Sequence, residues 1–363
     1  MKLNYKRTLY IGFAFFIICM FWQVYDNVIA KMLINSFGFD QTTSGFILAL
    51  DNIVALFMLP LFGSFSDRTK SKHGKRTPYI FWGVILSAIL FIGVAVFDSY
   101  QQKAVQEADV PHLVEIKEND EVIGYQVGDK KFIPDLSKDE KLYDQKELAF
   151  KEYQSLARKV SSDNIGYLVG FMLVLFIVLL IASIYRTPAV SLMPDVTPKP
   201  LRSKANAVIN LLGTFGGILA LGFMTFTAKD YKSYVLTFII LAVLMIFFLG
   251  LFLLKVKEPK MVDEFTKTYP NEEENETVGV ANSEKMPKEV RKSFILILLS
   301  VVFWFMAYNA ATSKFSVYSG LVLNTMFTTP LMVAQIIAAA SYIPIGMIAS
   351  KVGRKKTILV GII

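Results

Sequence analysis

Polar residues along this chain gather into short clusters, and long apolar stretches run between them. The stretches cover 9–33, 43–65, 78–97, 165–193, 205–227, 234–254, 293–311 and 327–349, and another opens near Thr357. At 1.5 Å rise per residue, a helix of about 20 apolar residues crosses a bilayer core of about 30 Å. Soluble cores have no use for a series of such lengths. The pattern predicts an all-α polytopic membrane protein with six spans, a polar interval, and then the start of a second set.

Two polar intervals stand out. Residues 98–163 contain fifteen Asp/Glu and ten Lys/Arg. Within them LVEIKENDEVIGYQVGDKKFI alternates and is punctuated by END and GDK, which predicts a short strand meander. Next, KLYDQKELAFKEYQSLARKV has Leu142, Ala149, Tyr153, Leu156 and Val160 at helical spacing. The interval is either a small folded excursion or disordered chain. Residues 259–292 include YPNEEENETVGVANSEKMPK and read as a flexible linker. The division is therefore a six-helix half at 1–258 holding the insertion 98–163, the linker 259–292, and the start of a second half at 293–363. The final TILVGII is too short to cross a bilayer, so the second half is expected to be incomplete, cut within its third span.

Composition agrees: 54% of the 363 residues are hydrophobic and 19% charged, with mean hydropathy +0.47. A net charge of +8 raises the question of nucleic acid. The basic residues, however, sit in short loops beside apolar spans, the signature of cytoplasmic loops, and form no binding stripe. With Lys2, Lys6 and Arg7 cytoplasmic, alternation places the loops 68–76, 199–204, 255–292 and 351–356 inside and the insertion outside. The expected location is a cell membrane. The single Cys19 excludes a disulfide within one chain.

Residues 63–79, GSFSDRTKSKHGKRTPY, form a basic loop between the second and third spans. Gly63 is followed four positions later by Asp67 and Arg68, and then by Gly74, Lys75 and Arg76. Gly346 is followed by Ser350 and Lys351, then by Gly353, Arg354, Lys355 and Lys356, at the same place in the second set of spans. This repeated loop resembles the signature loop of the major facilitator superfamily. The resemblance implies two pseudo-symmetric six-helix halves, with the loop as a conformational switch. Asp67 can sit near positive partial charges or an arginine across the half, tethering neighbouring helices in one state. Ser350 replaces that acid in the second copy. The ending Gly-Lys-Arg-Thr-Pro-Tyr, and YRTPAVSLMPDVTPKPLRSKANAV after the fourth span, are similar to the sugar–cation symporters of the glycoside–pentoside–hexuronide and sucrose-transporter groups. Two departures matter. The carboxylate positions of the sodium-coupled melibiose carriers fall on Ala55 and Leu59, so that sodium site is not carried over. The arginine that follows the fourth-span proline in plant sucrose carriers falls on Val190, whereas Arg186 stands two residues before Pro188.

Charged and amide side chains inside spans are costly in hydrocarbon and mark functional positions. Gln23, Asp26 and Asn27 stand at i, i+3 and i+4 on the first span. Asp51 and Asn52 lie about two turns into the second span. Asp26 and Asp51 are the proton-coupling candidates, unless each lies at an interface. Arg186 either pairs with a carboxylate or snorkels. Asn206 and Asn210 share a face of the fifth span with Gly213 and Gly217, whose GxxxG spacing reads as tight helix packing. Trp304 and Tyr308, at i and i+4 beside Asn309, suit a sugar's apolar ring face and its hydroxyl rim.

His73 and His112 have no metal-ligand company, and neither a nucleotide-binding loop nor a catalytic constellation is present. No cofactor or metal is expected, and the chain does not read as an enzyme. The reading is a secondary active transporter for a sugar or glycoside, with a proton and the lipid bilayer as partners and no nucleic acid. Two alternatives remain: a drug or metabolite exporter of the same fold, and a membrane receptor using the 98–163 module.

Overall fold

The structure, a computed structural model, describes residues 3–135, 141–227, 233–269 and 288–362. Its helices are α1 Tyr5–Val24, α2 Gln41–Arg68, α3 Thr77–Glu107, α4 Leu142–Asp163, α5 Ile165–Asp195 and α6 Arg202–Thr227. They continue with α7 Val235–Lys255, α8 Glu258–Thr268, α9 Lys288–Leu321, α10 Thr328–Val352 and α11 Arg354–Ile362. Among the described residues, seven helices are long and apolar enough to cross a membrane.

Local chemistry explains the ends. Asp40 caps α2, its carboxylate accepting the Thr43 amide at 3.4 Å. Hydrogen bonding from Thr43 holds that carboxyl below the usual carboxylate range. Pro78 opens α3, where its missing amide hydrogen costs nothing. The helices nonetheless outrun the apolar stretches. The third ends at Glu107 and not at Phe97, and the seventh begins at Lys288 and not at Ser293. An apolar run marks where lipid ends, whereas a helix continues until its hydrogen bonding is broken. The flexible linker expected at 259–292 is corrected at both ends, where α8 occupies Glu258–Thr268 and α9 begins at Lys288; 270–287 lies outside the described residues.

The first half is organised around α1, which packs on α6 and α7, while α3 packs on α5 and α7 and α2 packs on α5. Phe91 ties these layers together, its ring 4.6 Å from Phe21 and 4.5 Å from Phe238. Gly213 explains the close approach of α6 to α1: a Cβ there would lie 2.6 Å from the Phe15 ring and 2.8 Å from Cys19 Sγ. Packing is therefore sufficient reason for Gly213, whereas a Cβ at Gly217 would lie 2.6 Å from Gln335 Oε1. From the second half, α10 packs on α6 and α9 touches α2.

The insertion is folded. Val114–Glu118, Glu121–Val127 and Lys130–Phe132 form an antiparallel sheet in the order β1-β2-β3. Asn119 and Asp120 turn the first hairpin with φ of 51° and 64°, a conformation these residue types tolerate. Tyr125, Val127 and Ala149 bury against Tyr153 and Leu156, which seats α4 on the sheet. The same helix grips the chain that leaves α1: Tyr153 donates to the Asn35 carbonyl at 3.0 Å and Gln154 to that of Phe39 at 2.8 Å.

Candidate functional site

The basic loop is held by three carboxylates. The Arg76 side chain is 5% exposed; it donates from Nε to Asp195 Oδ2 at 2.9 Å, and its terminal nitrogens reach Ser66 Oγ and Asp67 Oδ1. Burial disfavours the guanidinium, but Asp195 and Asp67 outweigh that and raise its affinity for the proton. Lys75 pairs with Asp195 at 3.3 Å. Glu258, 1% exposed, accepts the backbone amides of Lys75 at 2.8 Å, Arg76 at 2.9 Å and Thr77 at 2.8 Å, and the Thr77 hydroxyl at 2.7 Å. A carboxylate thus caps the N-terminus of α3, where orphan amides and the helix dipole favour negative charge.

Gly74 makes this approach possible. Its φ is +102°, and a Cβ there would overlap the Glu258 carboxyl group. Gly353 has φ +99° at the corresponding place in the second copy. There the polar loop expected after Gly346 is shorter: α10 runs to Val352, only Gly353 intervenes, and Arg354 already belongs to α11. Gly346 is inside α10. In the first copy, Gly63 meets α5, since a Cβ there would lie 3.3 Å from Thr187 Cγ2. Arg68 is exposed, and the arginine that pairs with Asp67 comes from the same loop.

Sequence reasoning missed Ser66, Asp195 and Glu258. A signal was present: Asp67 and Glu258 stand next to basic residues, and Asp195 comes four positions before Lys199.

A cavity of about 200 Å³ is lined by Tyr25 and Asp26 on the extension of α1, Asp51 and Asn52 on α2, and Asn309 on α9. Both candidate carboxylates therefore face one space, across which the two halves meet. Asn52 donates to Asp51 Oδ1 at 2.7 Å. Arg186 lies within electrostatic reach of both carboxylates, and its guanidinium sits 5.2 Å from the centre of the Trp22 ring. Tyr308 is within similar reach of Asp26.

Other candidates are placed elsewhere. Beyond Val24 the chain continues in two π-type segments, Tyr25–Ile29 and Met32–Ser36. The wider winding breaks the shared face assumed for Gln23, Asp26 and Asn27. Asp26 meets the cavity, Asn27 turns inward and donates to the Gln23 carbonyl at 2.8 Å, and Gln23 accepts a hydrogen bond from Gln335 of α10. Asn210 is spent on the Asn206 carbonyl at 2.8 Å and does not line the cavity. Trp304 is exposed and does not line it either, although Asn309 on the same helix does. Gln335 is a further residue not singled out from the sequence, an isolated amide in an apolar helix.

Apart from the Gln335–Gln23 pair, hydrogen bonds between the halves are found at the insertion end. Lys314 of α9 donates to the Gln41 carbonyl, and to Ser44 Oγ at 3.3 Å. Lys146 of α4 donates to the Gly320 carbonyl at 3.3 Å and to Asn324. Its ammonium is lowered in proton affinity by burial, with Glu115 opposing. Lys31 lies 4.0 Å from the centre of the Phe327 ring.

The family model described as Major Facilitator Superfamily matches residues 160–363, and one described as MFS/sugar transport protein matches residues 10–103. No curated protein matches the sequence. Among solved structures, the xylose transporter XylE from E. coli in a partially occluded inward open conformation is similar at TM-score 0.55, with 14% identity over 98% of this chain and 75% of that one. Its inward open conformation gives TM-score 0.53 and 13% identity, over 94% of this chain and 68% of the other. At such identities the likeness speaks for the fold. Since the first model alone matches more than half of its length, the chain belongs to the major facilitator superfamily and is a multi-pass membrane transporter.

Proposed function

We propose that this transporter carries a sugar or glycoside across the cell membrane in symport with protons, with its N-terminus on the cytoplasmic side. The observation that carries the reading is the cavity where Asp26, Asp51 and Asn52 of one half meet Asn309 of the other. A carboxyl in such a space can exchange a proton with whichever side it opens to, and the amides can bond the hydroxyls of a sugar. Arg186 can hold the carboxylate form between proton deliveries. The sugar-transport family match and the fold shared with a xylose transporter favour this substrate class. Hydrogen bonds joining the halves near the insertion fit a state closed at that end, one of the two that alternating access requires.

The test is a sugar panel in proteoliposomes with an imposed pH gradient. Asp26→Asn keeps the shape and fixes the neutral form, so uphill accumulation driven by the gradient should be lost while downhill exchange is retained. A mutant that still accumulates sugar against its gradient removes Asp26 from the coupling role. If Asp51→Asn also accumulates, the proton reading fails. If no sugar in the panel shows counterflow, the exporter reading takes its place.

A further inference from the structure

Asp98 on α3 is fully buried, and among the described residues no lysine, arginine or histidine forms an ion pair with it. Its Oδ2 accepts from Gln102 Nε2 at 2.8 Å, and the Ser36 hydroxyl bonds the same carboxylate. Its Oδ1 has no hydrogen-bond partner. Gln101, also fully buried, uses its amide nitrogen on the Ser36 carbonyl at 3.1 Å and on Ser161 Oγ at 2.8 Å. Gln102 reaches Ser36 Oγ at 3.4 Å. The carbonyl oxygens of both glutamines, like Asp98 Oδ1, are buried and unpartnered. Three orphan acceptors thus belong to side chains that converge on one residue, Ser36.

Buried carboxylates and amides without partners are expensive, and the deficit here is of one kind. The donors of the cluster are used and its acceptors are left over, so an occupant must supply hydrogens or positive charge, and a water molecule can donate to two of the three oxygens at most. A proton on Asp98 can satisfy a single acceptor. A metal cation takes several oxygens at once, as hard cations do. One negative charge suits a monovalent ion, and no group of three His, Cys, Asp or Glu that would mark a divalent site occurs among the described residues.

We propose that Asp98, Gln101 and Gln102 form a binding site for a monovalent metal cation of sodium's size, set at the insertion end of α3. A cavity of about 310 Å³ under the insertion, lined by Ser36, Gln102, Tyr153 and Ser316, reaches the cluster at Ser36 and Gln102; Asp98 and Gln101 do not line it. Lys31 and Lys146 also line it. Lys31 is turned to the Phe327 ring, and Lys146 is held by Gly320 and Asn324. Because Ser36 lies on the extension of α1 and Ser161 on α4, an ion there would fasten the insertion to the bundle. The site stands apart from the cavity at Asp26 and Asp51 and does not depend on the sugar reading.

Thermal unfolding of the purified protein, followed in sodium chloride and in choline chloride at equal ionic strength and pH, tests the site. At a sodium concentration ten times the dissociation constant, the folded state should be favoured about 11-fold over that in choline. Asp98→Asn removes a buried charge and should fold, with its sodium response lost. Gln102→Met, at the edge of the cavity, should raise the sodium concentration required by at least about 10-fold. It decides the matter should the asparagine variant fail to fold. Equal melting of the wild type in sodium and choline overturns the proposal, as does a sodium response retained in Asp98→Asn. Stabilisation by acid alone, without sodium dependence, assigns Asp98 a proton and overturns it too.

Discussion

Replacing Glu258 by alanine tests whether the basic loop is held by a carboxylate cap. The side chain accepts hydrogen bonds from three consecutive backbone amides and one hydroxyl, at 2.7–2.9 Å, in a place 1% open to solvent. Hydrogen bonds to a charged group contribute about 1.5–3 kcal/mol each, and a buried donor left unpaired costs about 1–3 kcal/mol. These do not add, because one carboxylate serves all four donors and water can enter beside the partly exposed Lys75. Loss of a buried charge partner elsewhere costs about 3–5 kcal/mol, and that is the range expected here. Glu258→Gln keeps the volume and one acceptor while turning an amide group toward the donors, so about half the loss should remain.

Apparent melting temperature in detergent, read from intrinsic fluorescence, is the assay. For a domain of this order of size, about 2–4 °C follows each kcal/mol, so Glu258→Ala should melt roughly 10 °C below the wild type. Glu264→Ala serves as the control. That carboxylate pairs with Arg7 at 3.2 Å but is 69% exposed, and exposed pairs are worth less than about 1 kcal/mol. Its variant should melt within about 2 °C of the wild type. Equal shifts for the two alanine variants would refute the cap, since they would make burial and convergent amides irrelevant.

Two further outcomes follow from the loop and the insertion. In a Cys19→Ser background, cysteines at Lys72 in the basic loop and Asp120 in the hairpin turn should label from opposite sides of intact cells, Asp120 from outside; an impermeant reagent labelling both equally would overturn the orientation. Asp67→Asn should leave substrate affinity within a few-fold and slow exchange, because it weakens one contact to Arg76 and shifts a conformational population without touching the cavity; a selective loss of binding would contradict this.

What the sequence revealed depended on how local the signal was. The spans, the strand meander and the amphipathic α4 all follow from periodicity within a few turns of chain, and helices and strands are found there, although the helices run past the apolar stretches. Asp26 and Asp51 were visible because an acid in an apolar run is conspicuous. Their meeting in one cavity was not, since it depends on how α1 and α2 face each other across 25 residues of chain. Asn27 illustrates a different failure. Helical spacing assumed 3.6 residues per turn, and the π-type winding from Tyr25 to Ile29 changed the phase. Glu258 lay 183 residues from Lys75, and no periodicity connects an acid at the end of one helix with the first turn of another.

The two ends of the molecule are built differently, and the difference bears on how the halves can move. Asp67, Arg76, Asp195 and Glu258 all belong to residues 67–258, so the charged network at the basic loop lies within the first half. A rigid rocking of one half against the other leaves it intact. It stiffens that half. At the insertion end the contacts cross between halves, and three lysines make them: Lys31 on an aromatic ring, Lys146 and Lys314 on backbone carbonyls and neutral side chains. A charged donor on a neutral acceptor contributes about 1.5–3 kcal/mol, and a cation over a ring about 0.5–2 kcal/mol. Together they amount to several kcal/mol, the scale of gap that separates two interconverting conformations. The printed hydrogen bonds of Lys146 and Lys314 go to neutral acceptors, with Glu115 and Asp40 only within electrostatic reach, so opening this end breaks no direct ion pair of theirs. A closure of that kind holds in one state and releases at moderate cost.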